Sequence, residues 1–297
     1  MVKVKIPATS ANLGSGFDAL GLALTLYNYL EVEEYDRVEI SSADAVKIPQ
    51  DEQNLVYKTV KYLYDVCGRE LPGLRILQTN NIPMARGLGS SSACIVGGLC
   101  AGNELMGRPL DDEALLRMAV KLEGHPDNVA PALLGGLVTA AIEEGEVYHV
   151  KQTIKDDLMF AAFIPDFELR TSKARKVIPL EISHKDAVYN LSRAALMSVS
   201  LYSGDYQNLR VACADRLHQP YRLPLIKGAK DIFEMSYEFG AYASFVSGAG
   251  PTVMSIVNTD LFDFESLCNA RLGERGMDGW RLQMLSIDNR GAATKLD

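Results

Sequence analysis

The chain has no run of Lys and Arg longer than two, no cysteine pair at CxxC spacing and no long apolar stretch, and each lack removes a class of function. With a formal net charge of -8, it offers no concentrated basic surface. Such a surface is what neutralising a nucleic-acid backbone or an anionic membrane requires. A small molecule carrying phosphate needs only a local site and stays within reach. The five cysteines are odd in number and scattered, and with the four histidines they form no cluster at zinc spacing. They read as free thiols of a reducing compartment. The opening "MVKVKIPATSANLG" lacks the apolar core and small-residue cleavage site of a signal peptide. No segment approaches the roughly 18 apolar residues of a membrane span. These absences predict a cytoplasmic protein with no nucleic-acid or membrane partner.

What is present suits a globular enzyme. At 297 residues, 47% hydrophobic and 23% charged, the chain is long enough for two domains that bury their cores without staples. Alternation in "VKVKI" predicts a strand over 2–6 ending at Pro7, with more strand toward "LTLYNYLEVEEY". Helical spacing covers 54–68, closing on Gly68, and a strand is expected over 73–79. A helix of small and apolar residues is expected from Ser91 to Leu105, and another over 112–123 behind Asp111. Residues 135–152 read as a hairpin about Glu144-Gly145. A strand over 158–165 then opens a second unit. After a polar loop it carries helices at 186–203 behind Asp186, 205–217 behind Asp205 and 225–239. A strand, glycine turn and strand span 243–257, followed by a helix and a last strand in "WRLQMLSID". Strands and helices mix in both halves, so the expected class is α+β, with domains 1–160 and 161–297. No Gly/Ser linker separates them, which predicts close packing.

The sharpest local feature is "RGLGSSSA", residues 86–93. It matches neither GxxxxGK[ST], lacking the lysine, nor GxGxxG, which would need glycine at Ser92. Its setting between strand and helix still supplies free backbone N–H groups and a positive dipole end, as an anion site needs. A serine-capped helix packed tightly on a sheet would use the same residues, so this stretch alone leaves both readings open.

Two further stretches decide between them. "PATSANLGSGFD" (7–18) follows the first strand, and "SGAGPT" (247–252) lies between two apolar strands. With "PMARGLGSSSA" they resemble, in order and spacing, the three signature motifs of the GHMP kinases. "EGHPDNVAP" (123–131), "TSKAR" (171–175) and "DRLHQPYR" (215–222) are most similar to the homoserine kinase branch of that family. Ser15 departs from that pattern, where proline is frequent, and predicts a looser loop.

The resemblance implies a two-domain GHMP kinase fold: an N-terminal mixed-sheet domain with the phosphate loop, and a C-terminal ferredoxin-like domain closing over it. It implies ATP-dependent phosphorylation of the side-chain hydroxyl of homoserine, a step toward threonine. The nucleotide would lie on Pro83, Arg86, Gly87, Leu88, Gly89, Ser90, Ser91 and Ser92. Mg²⁺ would be held by Ser91 and Glu123, taking over the charge neutralisation that a lysine would otherwise supply. Homoserine is a zwitterion. Asn12, Asp18 and Asp127 would meet its ammonium and hydroxyl, His125 and Thr171 would stand beside it, and Arg175 and Arg222 would take its carboxylate. Asp127, Asn128 and Arg175 are the residues implied at the reacting groups. An Asp engaged with an ammonium is a poor base, so Asp127 is expected to position more than to deprotonate. A mevalonate-type kinase, or a family member that binds ligand without catalysis, are the competing functions. The resemblance admits a homodimer, which no sequence feature establishes.

Overall fold

The computed structural model describes residues 1–296. The first unit contains β1 (Val2–Ala11), β2 (Leu20–Glu34), β3 (Glu39–Ser42), α1 (Leu55–Val66), β4 (Leu74–Thr79), α2 (Ser90–Leu105), α3 (Asp112–Glu123), α4 (Pro126–Leu134), β5 (Leu137–Glu143) and β6 (Glu146–Gln152). The second contains β7 (Leu158–Pro165), α5 (Thr171–Lys176), α6 (His184–Ser203), α7 (Leu209–Ala212), α8 (Gln219–Arg222), α9 (Ala229–Glu238), β8 (Ala243–Val246), β9 (Val253–Asn258), α10 (Phe264–Glu274) and β10 (Trp280–Leu285). A final strand, β11 (Ala293–Leu296), pairs with β1 and returns the chain to the first sheet.

That first sheet runs β11-β1-β2-β4-β3, with β5 on β2 and β6 on β5. Only β3 and β4 pair in parallel, so the sheet is mixed. Apolar residues alternate inward along β1 (Val2, Val4, Ile6) and β4 (Leu74, Ile76) and meet α1 and α2. The second sheet is antiparallel in the order β10-β7-β9-β8. Numbered along the chain this is 4-1-3-2, the ferredoxin-like arrangement. One apolar cluster runs through both units, joining Val4 and Leu24 to Phe160, Met254 and Leu285, so the halves pack closely. The sheets part between β6 and β7. The 160/161 division read from sequence therefore runs through β7.

Three local differences from the sequence reading have physical reasons. β1 does not stop at Pro7 but continues to Ala11, because the register shifts between Pro7 and Ala8. A bulge is where a strand tolerates a residue without an N–H. Across that shift Thr25 of β2 bonds Ser286 in the other half. The helix expected over 205–217 breaks after Ala212, since the Asp215 carboxylate takes the N–H groups of Leu217, His218 and Gln219. α6 begins at His184, capped by the Ser183 side chain and not by Asp186.

Candidate active site

The phosphate loop is built by backbone conformation. Gly87 and Gly89 hold φ +75 and +73, a region that side chains rarely enter. A Cβ on Gly89 would collide with Thr9 Oγ1, and one on Gly87 with the carbonyl of Ser247. Gly89 thus occupies the cap position of α2 and leaves the N–H groups of its first turn open. The 16-residue helix behind them adds its dipole. The loop is pinned on both sides. Thr9 N donates to Leu88 O, the Ser247 hydroxyl donates to Gly87 O at 2.6 Å, and Thr252 N donates to Arg86 O. The motif at 247–252 therefore locks the second unit onto the loop of the first.

The loop faces a cleft of about 290 Å³, lined also by Asn12, Asp18, Glu123, His125, Asp127, Asn128, Thr171, Arg175 and Arg222. Residues distant in sequence are brought together there. Pro83 and Leu88 are not: Leu88 is wholly buried in the core, and Pro83 lines a separate hollow beside Trp280. Arg86 lines both the cleft and that hollow, and its side chain donates to the carbonyls of Pro165, Asp166 and Met84. Sequence reasoning left out Ala85, Arg170, Gly248 and Ala249 of the lining. Gly248 lies inside a motif it had singled out, which was the available signal.

The acidic end is strained. Asn12 and Asp18 hold positive φ of 69 and 56, an uncommon conformation for residues other than glycine. The Asn12 amide bridges them to the other half: Asp18 N donates to its oxygen at 3.0 Å, and its nitrogen donates to Gly248 O at 2.9 Å. Ser15, expected to loosen this loop, is instead buried. Its hydroxyl donates to Ala212 O at 2.7 Å, and its carbonyl accepts from Asn190 Nδ2. Asp18 receives both Nη groups of Arg175, at 2.8 and 3.0 Å. Asp127, in the first turn of α4, pairs one oxygen with His125 Nδ1 at 2.6 Å. Burial is the largest single influence on the His125 pKa and lowers it, but the bond to Asp127 and the negative charges of Asp127 and Asp18 together outweigh it and the net shift is upward. The carboxylates of Asp18 and Asp127 and the His125 ring approach within 4.8 Å of one another. Thr9 Oγ1 donates to Asn128 Oδ1 at 2.7 Å and fixes that amide.

The cationic end is different in kind. Arg222 is only 1% exposed. It donates through Nε to Ala174 O and through Nη1 to Gly248 O and His218 Nδ1, leaving Nη2 for the cleft. No carboxylate pairs with it among the described residues. Burial, and then the neighbouring Arg175, push its pKa down to about 10, so it is fully charged at neutral pH. His218 is wholly buried, stacked on Phe17, with Nε2 2.6 Å from Gly14 O. Donating there and accepting from Arg222 at Nδ1 fixes one neutral tautomer. Consistent with this, its pKa is lowered, chiefly by burial.

Glu123 closes α3 opposite the loop, where its Oε1 accepts from Ser92 Oγ at 2.9 Å. Ser92 is buried and Ser91, on the same turn, is exposed. A hard carboxylate with two hydroxyls beside open N–H groups is a donor set that fits Mg²⁺.

A cradle of helix-end N–H groups beside paired carboxylates and an unmatched buried cation defines a small-molecule phosphotransferase, and the chain belongs to the GHMP kinase family. Residues 54–136 match the profile of the GHMP kinases N terminal domain and 197–263 that of the GHMP kinases C terminal domain. Within the family it groups with the homoserine kinases. It is 47% identical to the homoserine kinase of Clostridium beijerinckii over 98% of both chains. It is also 47% identical to that of Caldicellulosiruptor saccharolyticus, over 98% of this chain and 96% of that one. Among solved structures, homoserine kinase from Cytophaga hutchinsonii superposes with TM-score 0.87 at 28% identity, covering 99% and 97% of the two chains. A mevalonate kinase from L. major, at TM-score 0.73 and 16% identity over 96% and 95%, shares the fold.

Proposed function

We propose that the protein transfers the γ-phosphoryl group of ATP to the side-chain hydroxyl of L-homoserine, giving O-phospho-L-homoserine. The observation that carries this reading is Arg222: a buried guanidinium without a carboxylate partner among the described residues, in one cleft with Asp18 and Asp127. That polarity suits an α-amino acid. Mevalonate has a carboxylate but no ammonium to meet the acidic pair.

In this reading Arg222 and Arg175 hold the carboxylate, while Asp18, Asp127 and Asn12 hold the ammonium and align the hydroxyl, with His125 and Thr171 beside them. The N–H groups of Gly87–Ser92 cradle the nucleotide phosphates. Glu123 with Ser91 would hold Mg²⁺, whose charge offsets that developing on the phosphoryl oxygens. Ser92, bonded to Glu123, would orient that carboxylate. The substrate oxygen attacks the γ-phosphorus, the bond to the β–γ bridging oxygen breaks, and ADP leaves. Asp127 is committed to His125 and to the substrate ammonium, and the hydroxyl proton passes to a γ-phosphate oxygen.

Coupled ADP-release assays with homoserine and with mevalonate test the substrate, and turnover of mevalonate alone would sink the reading. Arg222→Ala should raise KM for homoserine about 10–100-fold, the worth of a charged hydrogen bond, while leaving KM for ATP unchanged.

A further inference from the structure

The cleft is lined by four arginines, and three of them already have partners. Arg86 donates to the carbonyls of Met84, Pro165 and Asp166, and Arg175 grips Asp18. Arg222 donates to Ala174 O, Gly248 O and His218. Arg170 is the exception. It lines the same cleft, is exposed, and its guanidinium has no hydrogen bond, carboxylate or ring partner among the described residues. Nor does the fold need that side chain. Arg170 is the cap residue of α5, yet the cap is made by its backbone alone. Its carbonyl accepts from Lys173 N and Ala174 N, and its side chain makes no capping bond.

Backbone contacts set where this free cation stands. Leu169 N donates to Ala85 O at 3.1 Å, and the carbonyls of Pro165 and Asp166 accept from Arg86. The chain between β7 and α5 is thereby laid along the phosphate loop at 85–87, and Arg170 is the first residue beyond that seam. Arg175, more than a turn further along α5, reaches Asp18 at the acidic end instead. One short helix therefore brings two arginines to the cleft, the first of them starting beside the loop.

A phosphate loop of the common kind brings a lysine to the terminal phosphates, and this one has none. Its N–H groups are anchored in the backbone and suit phosphates that stay in place. The γ-phosphoryl group does not stay. In its loose transition state charge spreads over three equatorial oxygens while the phosphorus moves between two oxygens in line. A long guanidinium with no other partner can follow that movement, and its planar fork matches two of the oxygens. Glu123 and Ser91 belong to the first unit, whereas Arg170 comes from the second. We propose that Arg170 is a catalytic residue that binds the γ-phosphoryl group and supplies, from the second unit, the cation that the loop lacks. The proposal rests on the reading of the cleft as the site of an ATP-dependent kinase.

Calorimetry of the full chain with Mg²⁺ and either ADP or the non-hydrolysable analogue AMP-PNP reads this contact without a phosphoryl acceptor. Arg170→Ala should weaken AMP-PNP about tenfold or more and leave ADP within about twofold, as expected of a charged hydrogen bond made only to the γ group. Its kcat with homoserine should fall about 10–100-fold at unchanged KM for homoserine. Lys176→Ala removes the same charge from the other end of α5 and should behave as wild type. An Arg170→Ala enzyme with wild-type kcat and AMP-PNP affinity overturns the proposal and leaves a solvated surface cation. A rise confined to KM for homoserine also overturns it, by making Arg170 a ligand of the carboxylate. So does an equal loss of ADP affinity, which would move the contact to the β-phosphate, or an equal effect of Lys176→Ala. A wild-type chain that leaves homoserine unphosphorylated would sink the substrate reading alone, because the nucleotide comparison contains no homoserine.

Discussion

Asp127 carries two obligations at one carboxylate. One oxygen accepts from His125 Nδ1 at 2.6 Å, and the residue is 3% exposed in the first turn of α4. The bond to the imidazole fixes the carboxylate at the start of α4, where it is placed as an anchor for the substrate. Asp127→Asn should therefore raise KM for homoserine about tenfold or more and keep kcat within about tenfold, measured by steady-state kinetics. A loss of kcat beyond about a thousandfold at unchanged KM would instead assign it base chemistry. The sequence motif named this residue, but its hydrogen-bond partner could not be read from sequence. The same holds at Ser15. Its loss of proline's rigidity was legible, while the bond to Ala212 O that replaces that rigidity comes from a residue almost two hundred positions away.

Among the elements, α8 matters through its cap. His218 precedes it and joins the first-motif loop to Arg222, through Gly14 O on one nitrogen and the guanidinium on the other. Only the neutral ring can do both. His218→Leu should raise KM for homoserine about tenfold with little change in kcat, while His218→Gln, which can both donate and accept, should recover most of it. Equal effects of the two variants would reduce the histidine to a space-filler. The pH dependence has a definite sign. The folded pKa lies below the ordinary value of about 6.5, so the unfolded chain binds the proton first, and stability falls as pH drops below that value. Denaturant melts should show wild type losing more stability than His218→Gln between pH 7 and 5. His125 acts in the opposite sense. Its raised pKa gives stability that is full below about 6.5 and is lost as pH rises through the folded value. Elements with strong local signals, such as α1, α3 and the β5–β6 hairpin, were legible. α4 was not, because Pro126 and Pro131 argue against a helix that tolerates them only by starting at one and packing around the other. α5, six residues long, is too short for any periodicity.

For the molecule as a whole, the active site is a seam. Gly248 O accepts from Asn12 of the first motif and from Arg222, and Ser247 bonds both Ser10 and Gly87. The division into two α+β units followed from the order of strand and helix patterns. The return of the last strand did not, since "ATKL" carries no signal that would choose β1 as its neighbour. β11 pairs Ala293 to Leu296 with Lys5 to Val2, and Asp288 just before it bonds Ala23 O. Synthesis runs from the amino end, and domains usually fold in that order. Here the first sheet cannot be completed until the second unit has been made in full, and until then β1 presents an open edge to other chains. A chain stopped before Ala293 should aggregate during expression at 37 °C and be recovered in the soluble fraction at lower temperature or with the missing segment restored. Full solubility of that truncation at 37 °C would refute the idea. The four residues of β11 thus act as a clasp, and the two halves reach their final form together.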